Sequence, residues 1–279
     1  MTDPLLPHPN PPPGGEGTNG ARGAAQNLEG TNVKSLKPLR VMLLAAGRGE
    51  RMRPLTDHIP KPLLEVGGKP LIVWHIEKLA RAGLTELVIN HAHLGKQIEA
   101  ALGVGKQFGV TIQYSAEGKA LETAGGIANA LPLLGNAPFA VINADIYCDY
   151  DFTQLSAHAT SLLQNGDMAH LVLVNNPEQH PQGDFCLKGT RIVDNPPPSS
   201  ILDPRSPILT FSGIGIYNPA LFKHIVRGSI APLAPLLREQ IALGKVSGEH
   251  FSGRWVDVGT PLRLQQLDNT LRATHNTPP

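Results

Sequence analysis

Cysteine is scarce in this chain, and long apolar runs are missing. Only Cys148 and Cys186 are cysteines among the 279 residues, and they do not form a C-x-x-C pair. A disulfide framework or a cysteine-based zinc site is therefore not expected. No apolar run approaches the roughly 18 residues of a membrane-spanning helix, and the N-terminus lacks the basic-then-apolar order of a signal peptide. These absences predict a reduced, cytoplasmic setting.

An excess of charge of either sign is also missing. Lys and Arg total 24, Asp and Glu total 23, and the formal net charge is +1. Proteins that bind nucleic acid usually present a strongly basic surface, so we expect neither nucleic acid nor a membrane as a partner. The hydrophobic content of 41% is enough for a sizeable core, arranged as one large domain or two small ones.

Residues 1–37 lack apolar periodicity and are rich in proline and glycine, most densely between Pro7 and Gly15. Such a segment cannot bury enough apolar surface to offset the entropy lost on ordering. We predict a disordered tail over residues 1–37 and a single folded domain over residues 38–275. A functional tail and a misassigned translation start are the two alternatives.

Apolar segments from Leu39 onward alternate between strand-like and helix-like patterns. Strands are predicted over residues 41–45, 86–91, 110–114 and 139–144, and helices over residues 70–82, 94–102 and 122–131. Such alternation implies right-handed crossovers and a mostly parallel sheet flanked by helices, which is a Rossmann-like α/β fold. Ligands of these sheets bind beyond the carboxyl ends of the strands.

The second half of the sequence has a more mixed pattern. Strands are predicted over residues 170–175, 185–188, 191–194, 210–217 and 255–257, and helices over residues 219–226, 232–243 and from Pro261. The proline-rich stretch 195–198 predicts a surface loop. Hexapeptide repeats are missing, so a C-terminal β-helix is not expected.

A glycine-rich segment follows the first predicted strand and continues to Pro60-Lys61-Pro62. Gly47 and Gly49 leave backbone N–H groups free to approach a phosphate closely, because no Cβ stands in the way. Arg51 and Lys61 add two cations, whereas Arg48 and Arg53 are expected to face solvent. The pattern predicts a polyphosphate cradle, and its spacing is neither that of a dinucleotide fingerprint nor that of a P-loop.

Two aspartates end short apolar strands in distant parts of the sequence. Asp145 follows Phe139–Ala144, and Asp257 follows Trp255 and Val256. Oxygen ligands of this kind suit Mg²⁺, which keeps waters and phosphates in its remaining positions. The alternative for each aspartate is a helix cap or a turn residue. Taken with the glycine-rich segment, the pair predicts a metal site.

These motifs resemble the signature of the sugar-1-phosphate nucleotidylyltransferases. The segments involved are Leu44–Thr56 with Pro60–Pro62, Asn143–Asp145 and Trp255–Thr260, within a resemblance that spans residues 39–267. More narrowly, the chain is similar to uridylyltransferases that act on N-acetylmuramic acid 1-phosphate in Gram-negative cell-wall recycling. Two departures stand out, since Ala144 replaces a usual glycine and no lysine precedes Leu233.

The resemblance implies a reaction in which a nucleoside triphosphate, here UTP, and a sugar 1-phosphate give a nucleotide sugar and pyrophosphate. It implies Mg²⁺ on Asp145 and Asp257, catalytic roles for Arg51 and Lys61, and a nucleotide-binding half over residues 38–150 with a sugar-binding half over residues 151–275. Sugar contacts fall to Asn143 and Asp184. Nucleotide contacts fall to Leu44, Ala45, Ala46, Gly47, Gly49, Glu50, Met52, Glu122 and Gly125.

Several alternatives remain open at the level of sequence. The sugar is mannose or glucose in some relatives, with GTP, ATP or dTTP as the donor, and related scaffolds transfer cytidylyl groups to phosphates that are not sugars. A non-catalytic regulatory subunit of the same fold is a further alternative. Retention of Arg51, Lys61, Asp145 and Asp257 together argues against it. The oligomeric state is not indicated.

Overall fold

The strands and helices follow one another along the chain much as the alternating pattern predicts. The structure is a computed structural model that describes residues 38–194 and 207–275. The predicted tail, residues 1–37, and the proline-rich stretch 195–198 lie outside the described residues. The elements are β1 (Val41–Leu44), β2 (Glu65–Val66), β3 (Lys69–Pro70), α1 (Leu71–Arg81), β4 (Glu86–His91), α2 (Gly95–Leu102), β5 (Thr111–Ala116), α3 (Glu122–Leu134), β6 (Phe139–Asn143), β7 (Ile146–Cys148), α4 (Leu155–Asn165), β8 (Ala169–Val174), β9 (Phe185–Lys188), β10 (Arg191–Val193), β11 (Ile208–Tyr217), α5 (Leu233–Ala242), β12 (Val246–Phe251), β13 (Trp255–Asp257) and α6 (Pro261–His275).

Nine strands form one sheet in the order β5-β4-β1-β6-β11-β8-β12-β10-β9. Strands β5, β4, β1 and β6 are parallel, which confirms the Rossmann-like arrangement predicted for the first half. The second half is mixed, because β11 is antiparallel to both β6 and β8, whereas β12 runs parallel to β8. Neighbouring parallel strands need a crossover connection, which is usually a helix. The described residues between β8 and β11 contain no helix, and these two strands are antiparallel.

Helices cover both faces of the sheet. Helices α1, α2 and α4 pack on one face, where Ile72, Ile98 and Leu162 join a core built around β1, β4 and β6. Helices α3 and α5 cover the other face through apolar side chains such as Ile127 and Leu237. Residues that alternate along the strands therefore face two separate cores. The α/β class is confirmed, and residues 38–194 and 207–275 contain no C-terminal β-helix.

The observed boundaries of helices and strands agree best with the predicted ones where local sequence signals are strong. Helix α1 begins directly after Pro70 and ends two residues before Gly83, whose φ of +75° suits only glycine without strain. The predicted helix over residues 219–226 is wrong in extent, since only a 3-10 turn forms over Pro219–Phe222. Helix α4 and strands β7 and β12 were not predicted. Within the described residues, no helix is both long and apolar enough to cross a membrane.

Candidate active site

A cavity of about 210 Å³ lies beyond the carboxyl ends of β1, β4 and β6. Leu44, Asn90 and Asn143 lie side by side there, because β1 pairs with β4 and β6 in matching register. The strand order reverses between β1 and β6, which is the position where open α/β sheets bind ligands. Further lining comes from Ala45, Ala46, Gly47, Lys61, Pro62, Glu117, Ala120, Leu121, Glu122, Thr123 and Asp145.

The glycine-rich loop after β1 borders this cavity through Ala46 and Gly47. The N–H groups of residues 46–49 make no hydrogen bond to any described residue. A Cβ added to Gly47 would meet nothing within 4 Å, so the space beside it is open. Gly49 differs, because its φ is +69° and an added Cβ would lie 3.0 Å from the Thr56 side chain. Gly47 therefore keeps a ligand space clear, whereas Gly49 makes the turn possible.

Only one of the three arginines in the loop is free of ion pairs within the described chain. Arg48 pairs with Glu50 at 2.6 Å, and Arg53 pairs with Asp57 at 2.7 Å. Arg51 makes no ion pair and reaches toward the turn before α6. A Cβ built on Gly259 would lie 3.1 Å from Arg51 Nη2 and 3.0 Å from Asp257 Oδ2. The loop thus directs one guanidinium across the site.

Lys61 is a buried cation at the base of the cavity. Its side chain is 8% exposed, and Nζ donates a 2.6 Å hydrogen bond to Oδ2 of Asp145. Lys61 begins a 3-10 turn, with Pro60 before it and Pro62 within it. The two prolines fix the local backbone, so little entropy is lost in holding the ammonium group in place.

Asp145 and Asp257 meet although 112 positions separate them in the sequence. Strand β13 pairs with β7, and the amide of Val258 donates to the carbonyl of Asp145 at 3.0 Å. Both side chains are partly exposed, and Arg263 pairs with Asp257 at 2.8 Å. Asp145 lines the cavity, and Asp257 lies on the strand paired with β7. Carboxylate oxygens from two neighbouring strands are a donor set that fits Mg²⁺.

Glu117 is a buried carboxylate in the cavity wall that sequence reasoning missed. It accepts hydrogen bonds from the Asn90 amide at 2.6 Å and from the backbone N–H of Leu121 at 3.0 Å. Burial raises the pKa of Glu117. Asn90 also accepts from the backbone N–H of Ala45 at 2.8 Å, which connects β4 to the start of the glycine-rich loop. The one sequence signal that could have pointed to this hydrogen-bonded pair was the position of Asn90 near the end of a predicted strand.

A second cavity of about 430 Å³ adjoins the first and shares Glu122, Thr123 and Asn143 with it. Asp184 lines this second cavity, and its carboxylate accepts from the backbone N–H of Phe211 at 2.8 Å. His180 lies 3.0 Å from the other oxygen of Asp184. The remaining lining residues are Phe185, Phe211, Pro232, Leu233, Ala234, Leu237 and Arg238.

Glu122 and Arg238 are the most distinctive charged groups of the second cavity. Glu122 has a φ of +59°, which costs an L-residue of this kind about 1–2 kcal/mol relative to a relaxed backbone. Such strain is typical of functional positions. Arg238 on α5 makes no ion pair or side-chain hydrogen bond within the described residues. Sequence reasoning gave no role to Arg238.

Four of the predicted nucleotide contacts line neither cavity, and one of them is Gly49, which shapes the turn of the loop. Met52 is fully buried, so its side chain belongs to the core. Gly125 packs against the 229–231 segment, where an added Cβ would lie 2.3 Å from the carbonyl oxygen of Ser229. Glu50 is exposed and held by Arg48. These contacts stay predictions, and the structure gives each of these residues a structural reason to be there.

Comparison with known proteins agrees with this geometry. The nucleotidyl transferase family profile matches residues 40–273. An N-acetylmuramate alpha-1-phosphate uridylyltransferase of Neisseria meningitidis serogroup B is 53% identical over 232 residues, which cover 82% of this chain and 96% of the relative. A mannose-1-phosphate guanyltransferase of Aspergillus fumigatus is 33% identical, and the alignment covers 80% of this chain but only 61% of that relative.

Solved structures share the fold. A structure described as a glucose-1-phosphate thymidylyltransferase from Bacillus anthracis in complex with a sucrose has a TM-score of 0.71 and 24% identity, covering 84% of this chain and 95% of that one. An apo UDP-glucose pyrophosphorylase has a TM-score of 0.64 and 22% identity, covering 85% of this chain and 99% of that one. The resemblance found in the sequence is confirmed, and the chain belongs to the nucleotidyl transferase family.

Proposed function

We propose that this enzyme transfers a uridylyl group from UTP to N-acetylmuramic acid 1-phosphate, giving the nucleotide sugar and pyrophosphate in the cytoplasm during peptidoglycan recycling. The observation that supports it most is the junction of the two cavities. Lys61 and Asp145 line the first cavity, and Asn143 belongs to both. A relative that is 53% identical and carries the uridylyltransferase name supports the choice of substrates.

The chemical difficulty of this reaction is charge repulsion. A triphosphate must approach a second phosphate that is itself nearly dianionic, with a second pKa of about 6. The attacking oxygen is already ionised, so a general base is unnecessary. Catalysis then depends on in-line positioning and on cations placed where charge develops.

The chain contains backbone amides, cations and carboxylates that could perform these tasks. The free amides of residues 46–49 and the unpaired Arg51 would hold the β- and γ-phosphates and stabilise pyrophosphate as it leaves. Lys61 would stand between the α-phosphate and the sugar phosphate, held there by Asp145. Asp145 and Asp257 would hold Mg²⁺, which when bound supplies Lewis-acid stabilisation of the phosphate charge.

The second cavity would receive the sugar. Asn143 would donate or accept hydrogen bonds, and Asp184 would accept them, at its hydroxyl and acetamido groups; both residues line this cavity. N-acetylmuramic acid also carries a lactyl carboxylate, which must meet donors if it is to be desolvated. Arg238 is the cation of this cavity and would form a charge-assisted hydrogen bond with the lactyl group.

The division of the domain into a nucleotide-binding half over residues 38–150 and a sugar-binding half over residues 151–275 remains part of the proposal. Most lining residues of the first cavity come from the earlier half, and most of those of the second from the later half. Glu122, Thr123 and Asn143 would contact both substrates. The sugar site is therefore built from both halves.

One assay distinguishes the candidate reactions. Pyrophosphate release is measured for UTP, GTP, ATP, dTTP and CTP against the 1-phosphates of N-acetylmuramic acid, N-acetylglucosamine, glucose and mannose, with and without Mg²⁺. We expect the highest kcat/KM for UTP with the muramic substrate and a loss of activity in excess EDTA. Mannose 1-phosphate with GTP is the second candidate, because relatives of about 33% identity carry that name. Turnover of that pair tenfold faster than the muramic pair would contradict the substrate assignment.

A further inference from the structure

Three metal-ligating side chains converge at a place remote from the active site. His158 comes from α4, His170 from β8 and Glu249 from β12. One ligand atom from each lies within 4.8 Å of the other two. His170 is near the amino end of β8, at the opposite edge of the sheet from the nucleotide cavity, and β11 separates β8 from β6. The proposed nucleotidyl transfer does not use these residues.

The two histidines direct buried nitrogen atoms at the same carboxylate oxygen. The Nε2 atoms of His158 and His170 lie 3.2 and 3.7 Å from Oε1 of Glu249. Both Nε2 atoms are buried, and neither makes a well-formed hydrogen bond. Buried polar nitrogen without a partner is costly and uncommon. An ion shared by the three groups would satisfy all of them at once.

The surrounding contacts hold the ligands in the required form. Oγ of Ser247 lies 3.0 Å from Nδ1 of His170, and a proton on Nδ1 leaves the lone pair on Nε2. The hydroxyl of Tyr150 donates to Oε1 of Glu249. Burial opposes ionisation of Glu249, but the adjacent His158, His170 and Tyr150 side chains lower its pKa well below the usual range. The site therefore combines an anionic carboxylate with an imidazole of fixed orientation.

The two histidine rings lie close enough to share one ion. The imidazole rings of His158 and His170 are stacked, with centroids 4.2 Å apart and planes 15° apart. A divalent ion would be held by two imidazole nitrogens and one carboxylate. Because the rings are nearly parallel, His158 must turn to share the ion, and its Nδ1 has no partner among the described residues that would prevent this.

We propose that His158, His170 and Glu249 form a structural site for a divalent transition-metal ion, distinct from the Mg²⁺ site of the cleft. Two imidazole nitrogens and one carboxylate favour Zn²⁺ or Co²⁺ over Mg²⁺, which prefers oxygen ligands. The ion would cross-link α4 to the β8–β12 pair. Its binding would stabilise the fold, since it favours the native state over the unfolded chain.

The test uses chelator-treated full-length protein titrated with Co²⁺ in excess Mg²⁺, which keeps the oxygen ligands of the cleft occupied. We expect one Co²⁺ per chain, visible absorption typical of nitrogen ligation, and displacement by Zn²⁺. Zn²⁺ at 100 times its Kd should raise Tm by about 5–10 °C. His158→Gln should weaken binding on the order of 100-fold, and Ser247→Ala should weaken it by about 10-fold or more.

Two matched variants serve as controls. His250→Gln removes the neighbouring histidine, whose Nε2 lies 2.9 Å from Oδ1 of Asn175, and should bind Co²⁺ like the wild type. Asp257→Asn alters the cleft and should also leave the Co²⁺ spectrum unchanged. The proposal is overturned if the wild type gives no such absorption, if His158→Gln binds equally well, or if Asp257→Asn abolishes binding. Should His158→Gln fail to fold, the wild-type titration and Ser247→Ala decide the question.

Discussion

Nζ of Lys61 lies 2.6 Å from Oδ2 of Asp145, and the two side chains differ sharply in exposure, at 8% and 37%. The ion pair joins the end of the glycine-rich segment to the turn between β6 and β7. It therefore connects a cationic motif and an anionic motif that lie 84 positions apart in the sequence. The difference in exposure makes the consequences of losing either partner unequal.

Loss of Asp145 is expected to lower stability more than loss of Lys61. Asp145→Asn leaves a buried ammonium without its counter-charge, which costs on the order of 3 kcal/mol. Lys61→Met leaves a carboxylate that water can reach, so the cost is about 1 kcal/mol or less. Thermal unfolding of the two variants and the wild type measures the difference. An equal fall in Tm for both variants would contradict the structural account.

Both variants should nevertheless lose activity. Removal of a cation aimed at developing phosphate charge, or of a carboxylate that would hold Mg²⁺, should reduce kcat on the order of 100-fold or more. Asp257→Asn should behave similarly. Arg53→Gln is the matched control, because Arg53 is already paired with Asp57 at the surface. Its kcat/KM should stay within about twofold of the wild type.

The two loop glycines should separate ligand binding from folding. Gly47→Ala places a methyl group in open space, so Tm should stay near that of the wild type while KM for the nucleotide rises. Gly49→Ala requires an L-residue at a φ of +69° against Thr56, which costs about 1–2 kcal/mol. Its Tm should fall by about 2–8 °C. Steady-state kinetics and thermal unfolding are measured for both variants. A lowered Tm for Gly47→Ala together with a raised KM but unchanged Tm for Gly49→Ala would show that the two roles are exchanged.

Glu122 should show opposite effects on stability and activity. Glycine relaxes at a φ of +59°, so Glu122→Gly should remove most of the strain and raise the free energy of unfolding by a few tenths to about 1 kcal/mol. The same change removes a carboxylate that lines both cavities, so kcat/KM should fall. Glu122→Gln keeps the strained backbone and serves as the control for charge alone. A destabilised Glu122→Gly variant would show that the carboxylate makes a stabilising contact.

Arg238 should determine preference among sugar phosphates. Arg238→Met keeps the apolar stem but removes the charge, so kcat/KM for N-acetylmuramic acid 1-phosphate should fall by about 10–200-fold, corresponding to 1.5–3 kcal/mol for a charge-assisted hydrogen bond. N-acetylglucosamine 1-phosphate lacks the lactyl carboxylate and should be affected much less. Equal losses for the two substrates would instead place Arg238 on a group that both sugars share, such as the phosphate.

The first half of the fold was predictable because its signals are local. Strand β4 matches its predicted range at both ends, and α1 begins directly after Pro70 and ends two residues before Gly83. The second half was less predictable, since a mixed sheet depends on pairing between distant segments. Strand β12 contains Gly248 and two charged or titratable side chains, Glu249 and His250, and it is stabilised by pairing with β8 rather than by its own propensity.

The sequence by itself determined the family, the glycine-rich loop and the main ionic residues, because glycines, flanking prolines and strand-end aspartates are constraints that neighbouring residues impose. Only the tertiary structure brought Arg51 toward the distant turn at Gly259, whereas Arg48 and Arg53 pair with acidic residues of their own loop, as the expectation that they face solvent allows. It also brought Arg238 to the second cavity and His158 to Glu249. Such contacts join segments far apart in the chain, and no local pattern encodes them.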